Sequence, residues 1–135
     1  MTDGNGTPLA AHTTAANRHD VTQLDRLVAE IPPVKGKAGR PRHRPETVYG
    51  DRAYDSQPHR DSLVALGIQS RLARRRDANG SGLGKIRWVV ERTIAWLHQN
   101  RRLRVRYERR ADIHDAFLKI GCILICYNQL NGSFC

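Results

Sequence analysis

Two short strand-like runs separated by a helix-like run lie between residues 47 and 72, and their order limits the folds open to this chain. The β-prone run at residues 47–50 ends at Asp51. A possible helix cap at Asp55 and Ser56 precedes an apolar helix-like run, and a second β-prone run covers residues 68–72. Strand, helix and strand in that order favour a parallel pair of strands. We therefore expect an α/β protein.

Periodic apolar residues predict three further helices. The first runs from Val21 to Ile31 and stops at the two prolines that follow it. The others cover residues 85 to about 103 and residues 113–130, so the second half of the chain is expected to be mainly helical. Near the start, residues 3–6 have the composition of a tight hairpin turn, and residues 8–14 are predicted to form the strand that follows it.

The chain carries 23 Lys and Arg residues against 13 Asp and Glu, a net charge of +10, and 19 of the cations are arginines. Because arginine forms planar, bidentate pairs with phosphate, a polyanionic partner is the first hypothesis. The charge is concentrated in a basic loop at residues 34–46, a run at residues 71–76 and a turn at residues 101–110. With 135 residues, the chain is expected to form one domain.

The apolar stretches near residues 88–90 and 120–127 are too short to cross a bilayer, which needs about 20 residues. No secretory signal is recognised at the start, so a cytoplasmic location without membrane contact is expected. Cys122 and Cys126 lie four residues apart in an apolar run, where a buried core role is favoured over a redox or metal role. The histidines show no zinc-ligand spacing.

Two acidic residues stand where a solvated surface role does not explain them. Asp51 closes an apolar strand, and Glu91 interrupts an apolar helical stripe. Arg87, Glu91 and His98 would share one narrow strip of that helix, which suits a phosphate-handling site. Carboxylates at a strand tip and on a helix are ligands that Mg²⁺ accepts. The alternative is structural: a turn or cap for Asp51, and an intrahelical ion pair with Arg87 for Glu91.

Three blocks of sequence resemble the C-terminal catalytic part of the DDE transposases of bacterial insertion sequences. They read YGDRAYDS from Tyr49, RWVVERTIAWLH from Arg87 and RRLRVRYER from Arg101. The resemblance runs from about Asp3 to Asn131. Residues 1–131, with the basic loop at residues 34–46 among them, are therefore expected to form one domain and residues 132–135 a tail. It implies a partial RNase H-like fold: a mixed sheet with flanking helices and a helical C-terminal half.

The resemblance also implies metal-dependent cleavage and strand transfer of DNA. In this family Asp, Asp and Glu hold two Mg²⁺ or Mn²⁺ ions, with Asp51 as the second Asp and Glu91 as the Glu, both catalytic and metal-binding. Arg87 fits the arginine of the family motif around its Glu. Gly84 stands in place of the motif's Tyr and His98 in place of its Lys, so the contribution of His98 to phosphate binding is reduced.

The family's first Asp lies on a strand that precedes the segment with which this chain begins, and Asp3 resembles the hairpin-turn residue instead. The chain is therefore expected to be a fragment or a downstream frame, inactive alone and with an incomplete catalytic triad. Its expected partners are DNA at the element ends and target, an upstream transposase segment or a full-length copy, and a second copy in a homo-oligomer. A non-catalytic basic DNA-binding module is the alternative.

Candidate DNA contacts are the cations of α-helical and loop segments together with one tyrosine. They are Arg87, Arg92, His98, Arg101, Arg102, Arg104, Tyr107, Arg109, Lys35, Lys37, Arg40 and Arg42. Trp88 and Trp96 lie near one helical stripe, where core packing is favoured over base stacking.

Overall fold

The computed structural model describes residues 1–15, 17–36, 38–74 and 84–132. The chain divides into two compact units, one formed by Ala16–Arg87 and the other by Met1–Ala15 together with Trp88–Cys135. Helices and a small parallel sheet are both present, which confirms the α/β class.

The predicted parallel pair forms the centre of the Ala16–Arg87 unit. Strand β1 (Thr47–Gly50) pairs with β2 (Gln69–Leu72), with Val48 opposite Ser70 in the register. Helix α2 (Gln57–Ala65) connects them, and it ends where Gly67 takes a φ of 73° that favours glycine. Leu63 and Ile68 are fully buried beneath this crossover.

The amphipathic helix predicted from residue 21 is present but begins with a 3₁₀ turn, Asp20–Gln23, before α1 (Leu24–Ala29). Its buried residues Leu24 and Val28, with Ile31 just beyond, follow the predicted spacing. Asp25 of α1 lies 2.9 Å from the His59 ring of α2. The basic loop at residues 34–46 has no helix or strand in its described residues, as expected, and Lys37 lies outside them.

Three helices dominate the other unit: α3 (Gly84–His98), α4 (Arg101–Arg104) and α5 (Ala111–Leu130). The prediction of one helix to about residue 103 is wrong, because Asn100 has an extended backbone and α4 starts afresh after it. The break brings Leu103 beside Leu97 against α5. A Cβ on Gly121 would lie 2.7 Å from Leu103 Cδ1 and 3.0 Å from Leu97 Cδ2, so the helices meet where this residue has no side chain.

The turn at residues 3–6 is confirmed, with Asp3 Oδ1 accepting hydrogen bonds from the N–H groups of Asn5 and Thr7. The strand expected at residues 8–14 is wrong: one antiparallel bridge joins Thr2 to Pro8, and pairing ends at Ala10, whose N–H donates to Met1. Within the described ranges the sheet is parallel rather than mixed.

Helix α5 has two apolar faces. One carries Gly121 and Ile125, which are buried. The other is exposed over its whole length, and its large side chains are Ile113, Ile120, Ile123, Leu124, Tyr127 and Leu130. Cys122 and Cys126 are half-buried between these faces as free thiols, and burial raises the pKa of Cys122. Among the described residues, α5 and the other helices are too short or too polar to cross a membrane.

Candidate active site and nucleic-acid interface

Asp51 lies immediately after β1 and begins the 3₁₀ turn Arg52–Tyr54. Its Oδ1 accepts a hydrogen bond of 2.9 Å from the N–H of Ala53, which is the capping role considered as the structural alternative. The carboxylate is half-buried at the carboxyl end of the parallel pair. The cap therefore fixes the carboxylate at the strand tip.

The loop that carries Asp51 is also held at its far end. Arg60 of α2 donates one hydrogen bond to Asp55 at 2.8 Å and another to the carbonyl oxygen of Leu72 at 2.9 Å. Both members of the Arg60–Asp55 pair are largely buried, with side chains 13% and 23% exposed. One guanidinium thus ties the loop to the end of β2 and keeps the Asp51 turn beside the sheet.

The residue before Asp51 has to be small. A Cβ on Gly50 would lie 2.6 Å from Leu72 Cδ2 and 3.3 Å from the Cβ of Tyr54. Leu72 is buried, so it has little room to move away. Close packing between the two strand ends thus adds a second constraint on the Asp51 turn.

Tyr54 is a neighbour of Asp51 that sequence reasoning did not assign to the site. Burial raises the pKa of its hydroxyl, and the negative charges of Asp20 and Asp51 raise it further. Asp20 is therefore a second carboxylate in electrostatic contact with this turn, brought there by the packing of its 3₁₀ turn.

Glu91 lies on α3 as predicted, together with Arg87 and His98, and all three side chains are exposed. The next two residues anchor this part of α3 to the N-terminal turn. Arg92 donates to the carbonyl oxygen of Asn5 at 2.7 Å, and Thr93 Oγ1 donates to that of Gly6 at 2.8 Å. Asp51 belongs to the Ala16–Arg87 unit and Glu91 to the other, so the structure describes the two acids separately.

Arg92 lies between two tryptophan rings on the same helix. Its guanidinium carbon is 4.4 Å from the centroid of Trp88 and 4.8 Å from that of Trp96. These distances are those of cation–π contacts. The prediction that Trp88 packs in the core is wrong. Its side chain is 49% exposed, and its ring covers Arg92 at the surface. Arg92, predicted as a DNA contact, is thus engaged in contacts within its own unit.

Most arginines of the segment at residues 101–110 also have partners within the protein. Arg101 donates to the hydroxyl of Tyr107 at 3.1 Å, and Arg102 forms an ion pair with Glu108. Tyr107 is 54% exposed. The side chains of Arg104 and Arg109 are exposed and have no hydrogen-bond or ion-pair partner within the described part of the chain.

In the basic loop, Arg42 pairs with Glu46, and Arg44 donates to the carbonyl oxygen of Leu66 at 3.2 Å. Lys35 and Arg40 are exposed. Arg71 on β2 and Arg74 just beyond it add further positive charge, and the remainder of that run lies outside the described residues. The described residues bring together no group of three or more His, Cys, Asp or Glu side chains that could hold a metal ion.

Comparison with known proteins gives a consistent picture. The family model described as "Transposase DDE domain" matches residues 1–129. A protein of Burkholderia cepacia named "Putative transposase for insertion sequence element IS402" is 62% identical over 133 residues, which cover 98% of this chain and 63% of the relative. A protein of Neisseria meningitidis serogroup B named "Transposase for insertion sequence element IS1106" is 31% identical over 120 residues, which cover 82% of this chain and 36% of the relative.

No solved structure matches the chain. The chain spans less than two thirds of the length of both relatives. The family model nevertheless covers nearly all of it, and both relatives are named as insertion-sequence transposases. The chain therefore belongs to the DDE-domain transposase family.

Proposed function

We propose that this chain is part of an insertion-sequence transposase with an RNase H-like fold that cleaves DNA and transfers strands. The observation that carries the proposal is the placement of Asp51, fixed by a cap at the carboxyl end of a parallel strand pair. In open α/β sheets this is the edge at which ligands bind. The family membership indicates which chemistry to expect there.

Asp51 and Glu91 are the residues that would hold divalent metal ions. Their carboxylate oxygens are the donors that Mg²⁺ and Mn²⁺ accept, so the chemistry of the donor pair fits. When bound, two such ions would supply activation of the attacking oxygen and stabilisation of the leaving oxygen. The Ala53 N–H holds Asp51 Oδ1 in place, which orients the carboxylate before any ion arrives.

A third carboxylate is expected from outside this chain. The family membership supports this proposal, because the resemblance to the family implies two Asp and one Glu and assigns Asp51 and Glu91 to two of these three positions. We propose that an upstream transposase segment or a full-length copy supplies the first Asp and that this chain is inactive alone. The exposed apolar face of α5 offers a surface that additional protein would cover, in that complex or in a homo-oligomer.

Positive charge would bring DNA to this site. Arg87 and His98 share α3 with Glu91, and the basic loop and the arginine-rich segment add exposed cations. With a net charge of +10, the chain is expected to bind duplex DNA with a strong dependence on salt.

The test mixes the chain with the upstream segment of a full-length copy, Mg²⁺ and DNA that carries the element ends. Cleavage is expected in the mixture, and it should be lost in Asp51→Asn and in Glu91→Gln. Asp61→Asn is the matched control, because Asp61 is an exposed acid of α2 that bonds to Gln57. Cleavage that survives both site substitutions would contradict the assignment of the two acids.

The alternative of a non-catalytic DNA-binding module is distinguished by the same variants. Such a module would bind DNA without metal, would not cleave in the complete mixture, and would retain its affinity after either substitution. The exposed, unpaired Arg104 and Arg109 favour DNA binding under both functions.

A further inference from the structure

A single acid, Glu108, stands in a segment of six arginines between residues 101 and 110. In a surface that only collects positive charge, this carboxylate would be unfavourable for DNA binding. Its side chain is 6% exposed, whereas that of its partner Arg102 is 59% exposed. The burial of this carboxylate among arginines indicates that Glu108 has a structural role within the segment.

Three groups surround Glu108. Arg102 of α4 donates to Oε1, and Arg106 Nε donates to the Glu108 carbonyl oxygen at 3.0 Å. On α5, His114 Nδ1 lies 3.6 Å from Oε2. Burial acts against ionisation of the carboxyl, but the hydrogen bonds from Arg102 and from backbone N–H groups outweigh it and lower the pKa of Glu108. The group is thus a carboxylate at neutral pH.

The remaining contacts separate the six arginines into two sets. Arg102 also lies over the ring of Phe117, at 5.1 Å from its centroid, and Arg110 pairs with Asp112. With Arg101 on Tyr107 and Arg106 on Glu108, four of the six have a partner inside the protein. Arg104 and Arg109 are exposed and have none among the residues that the structure describes.

We infer that Glu108 is a positioning residue that fixes the arginine-rich segment on α5, and that Arg104 and Arg109 are the phosphate contacts that this scaffold presents. The inference deepens the proposed function and rests on its DNA-binding part. It assigns Arg101, Arg102 and Tyr107, which the sequence suggested as DNA contacts, to the scaffold instead.

The first test is the affinity of the full chain for a short duplex DNA. Glu108→Gln raises the net charge by one, so charge alone predicts tighter binding. Positioning predicts the opposite, because Arg102 loses the carboxylate with which it forms its ion pair, whereas the bond from Arg106 to the backbone carbonyl remains. We expect the affinity to fall several-fold. Asp112→Asn is the matched control: it raises the net charge equally, and its Arg110 pair is exposed on both sides, so binding should tighten.

The second test is the dependence of the binding constant on salt. Each phosphate contact on duplex DNA contributes about 0.9 to the slope of log K against log salt concentration. Arg104→Gln and Arg109→Gln should each lower the slope by about that amount and leave the thermal midpoint unchanged. Arg102→Gln should lower the midpoint and leave the slope unchanged.

The outcomes separate the inference from the function on which it rests. A wild-type chain that fails to bind duplex DNA contradicts the DNA-binding function itself. Salt-dependent wild-type binding with an unchanged slope in Arg104→Gln and Arg109→Gln overturns only the present inference, as does tighter binding by Glu108→Gln. If Glu108→Gln does not fold, the slopes of the three arginine variants decide the question.

Discussion

Thr93 Oγ1 donates a hydrogen bond of 2.8 Å to the carbonyl oxygen of Gly6, across 87 positions of the chain. Thr93 is 3% exposed, and it lies two residues beyond the candidate ligand Glu91 on α3. The N-terminal turn is therefore part of what positions the helix that carries Glu91. This contact joins two segments that sequence periodicity treats as independent.

Replacing Gly6 tests that packing. Gly6 has a φ of 84°, and an added Cβ would lie 2.9 Å from Thr93 Oγ1. Gly6→Ala should therefore lower the free energy of unfolding by about 1–3 kcal/mol, through backbone strain and the close contact. Chemical denaturation measures it. Gly4→Ala is the control, since a Cβ there meets nothing within 4 Å, and an equal loss in both variants would contradict the contact.

Thr93→Val removes the hydroxyl at nearly constant volume. Because the Gly6 carbonyl then loses its donor in a buried place, we expect a loss of about 1–3 kcal/mol in unfolding free energy. The effects of Gly6→Ala and Thr93→Val should be less than additive, since both disturb one contact. Full additivity in the double variant would indicate that the two residues act separately.

The pKa of Tyr54 reports on the charge of Asp51. Burial, Asp20 and Asp51 hold this pKa above its usual range, so the neutral phenol favours the folded state. The stabilisation is present below the ordinary pKa of the phenol and is lost as the pH rises through the raised value. Asp51→Asn should shift the titration of Tyr54 downward, measured by the tyrosinate absorbance that disappears in Tyr54→Phe. An unchanged titration would place the Asp51 charge away from this hydroxyl.

Asp115 should make the stability depend on pH in the acid range. Burial opposes its ionisation, but hydrogen bonds from Lys119 and from the Thr13 N–H lower its pKa. A lowered pKa means that the stabilisation is present above the unfolded-state value and is lost as the pH falls through the folded-state value. Asp115→Asn should therefore be less stable than the wild type at neutral pH and should lose less stability on acidification. Parallel stability curves for the two proteins would exclude this role.

The two faces of α5 predict a large and a small loss of unfolding free energy for the same isoleucine-to-alanine substitution. Ile125 is 4% exposed, so Ile125→Ala should cost about 2–5 kcal/mol of unfolding free energy. Ile123 is 65% exposed, so Ile123→Ala should cost well under 1 kcal/mol. Thermal or denaturant unfolding of the pair checks this. Equal costs would show that the exposed face is covered in solution.

Local sequence patterns predicted the elements whose signals lie within a few residues. The strand at residues 47–50, helix α2, the second strand and the helix ending at residue 130 all formed close to the expected bounds. The error at Asn100 arose because apolar spacing continues through it to Leu103. The backbone is extended at Asn100 after α3, and Leu97 and Leu103, on either side of it, both pack against Gly121, which lies about twenty residues further on.

Candidate site residues were easier to name than to assign roles. Asp51 is identified because a strand ends at it, and its bond to Ala53 is the local cap that the sequence also allowed. The closeness of Asp20 to this turn, in contrast, depends on tertiary packing. The arginine count indicated a polyanionic partner, but no local pattern separates Arg102, which pairs with Glu108, from the exposed Arg104. Such partners become visible only when side chains from several helices are seen together.

We propose that Asp51 and Glu91 both hold divalent metal ions in the transposase. Iron-directed backbone cleavage tests it most directly, because Fe²⁺ bound in place of Mg²⁺ reduces added hydrogen peroxide to hydroxide and a hydroxyl radical, and the radical cuts only the nearby chain. The account predicts two groups of fragments, near residues 51 and 91, both suppressed by excess Mg²⁺ and both lost in either Asp51→Asn or Glu91→Gln. Cleavage at one position alone, or cleavage near residue 51 that persists in Glu91→Gln, would contradict it.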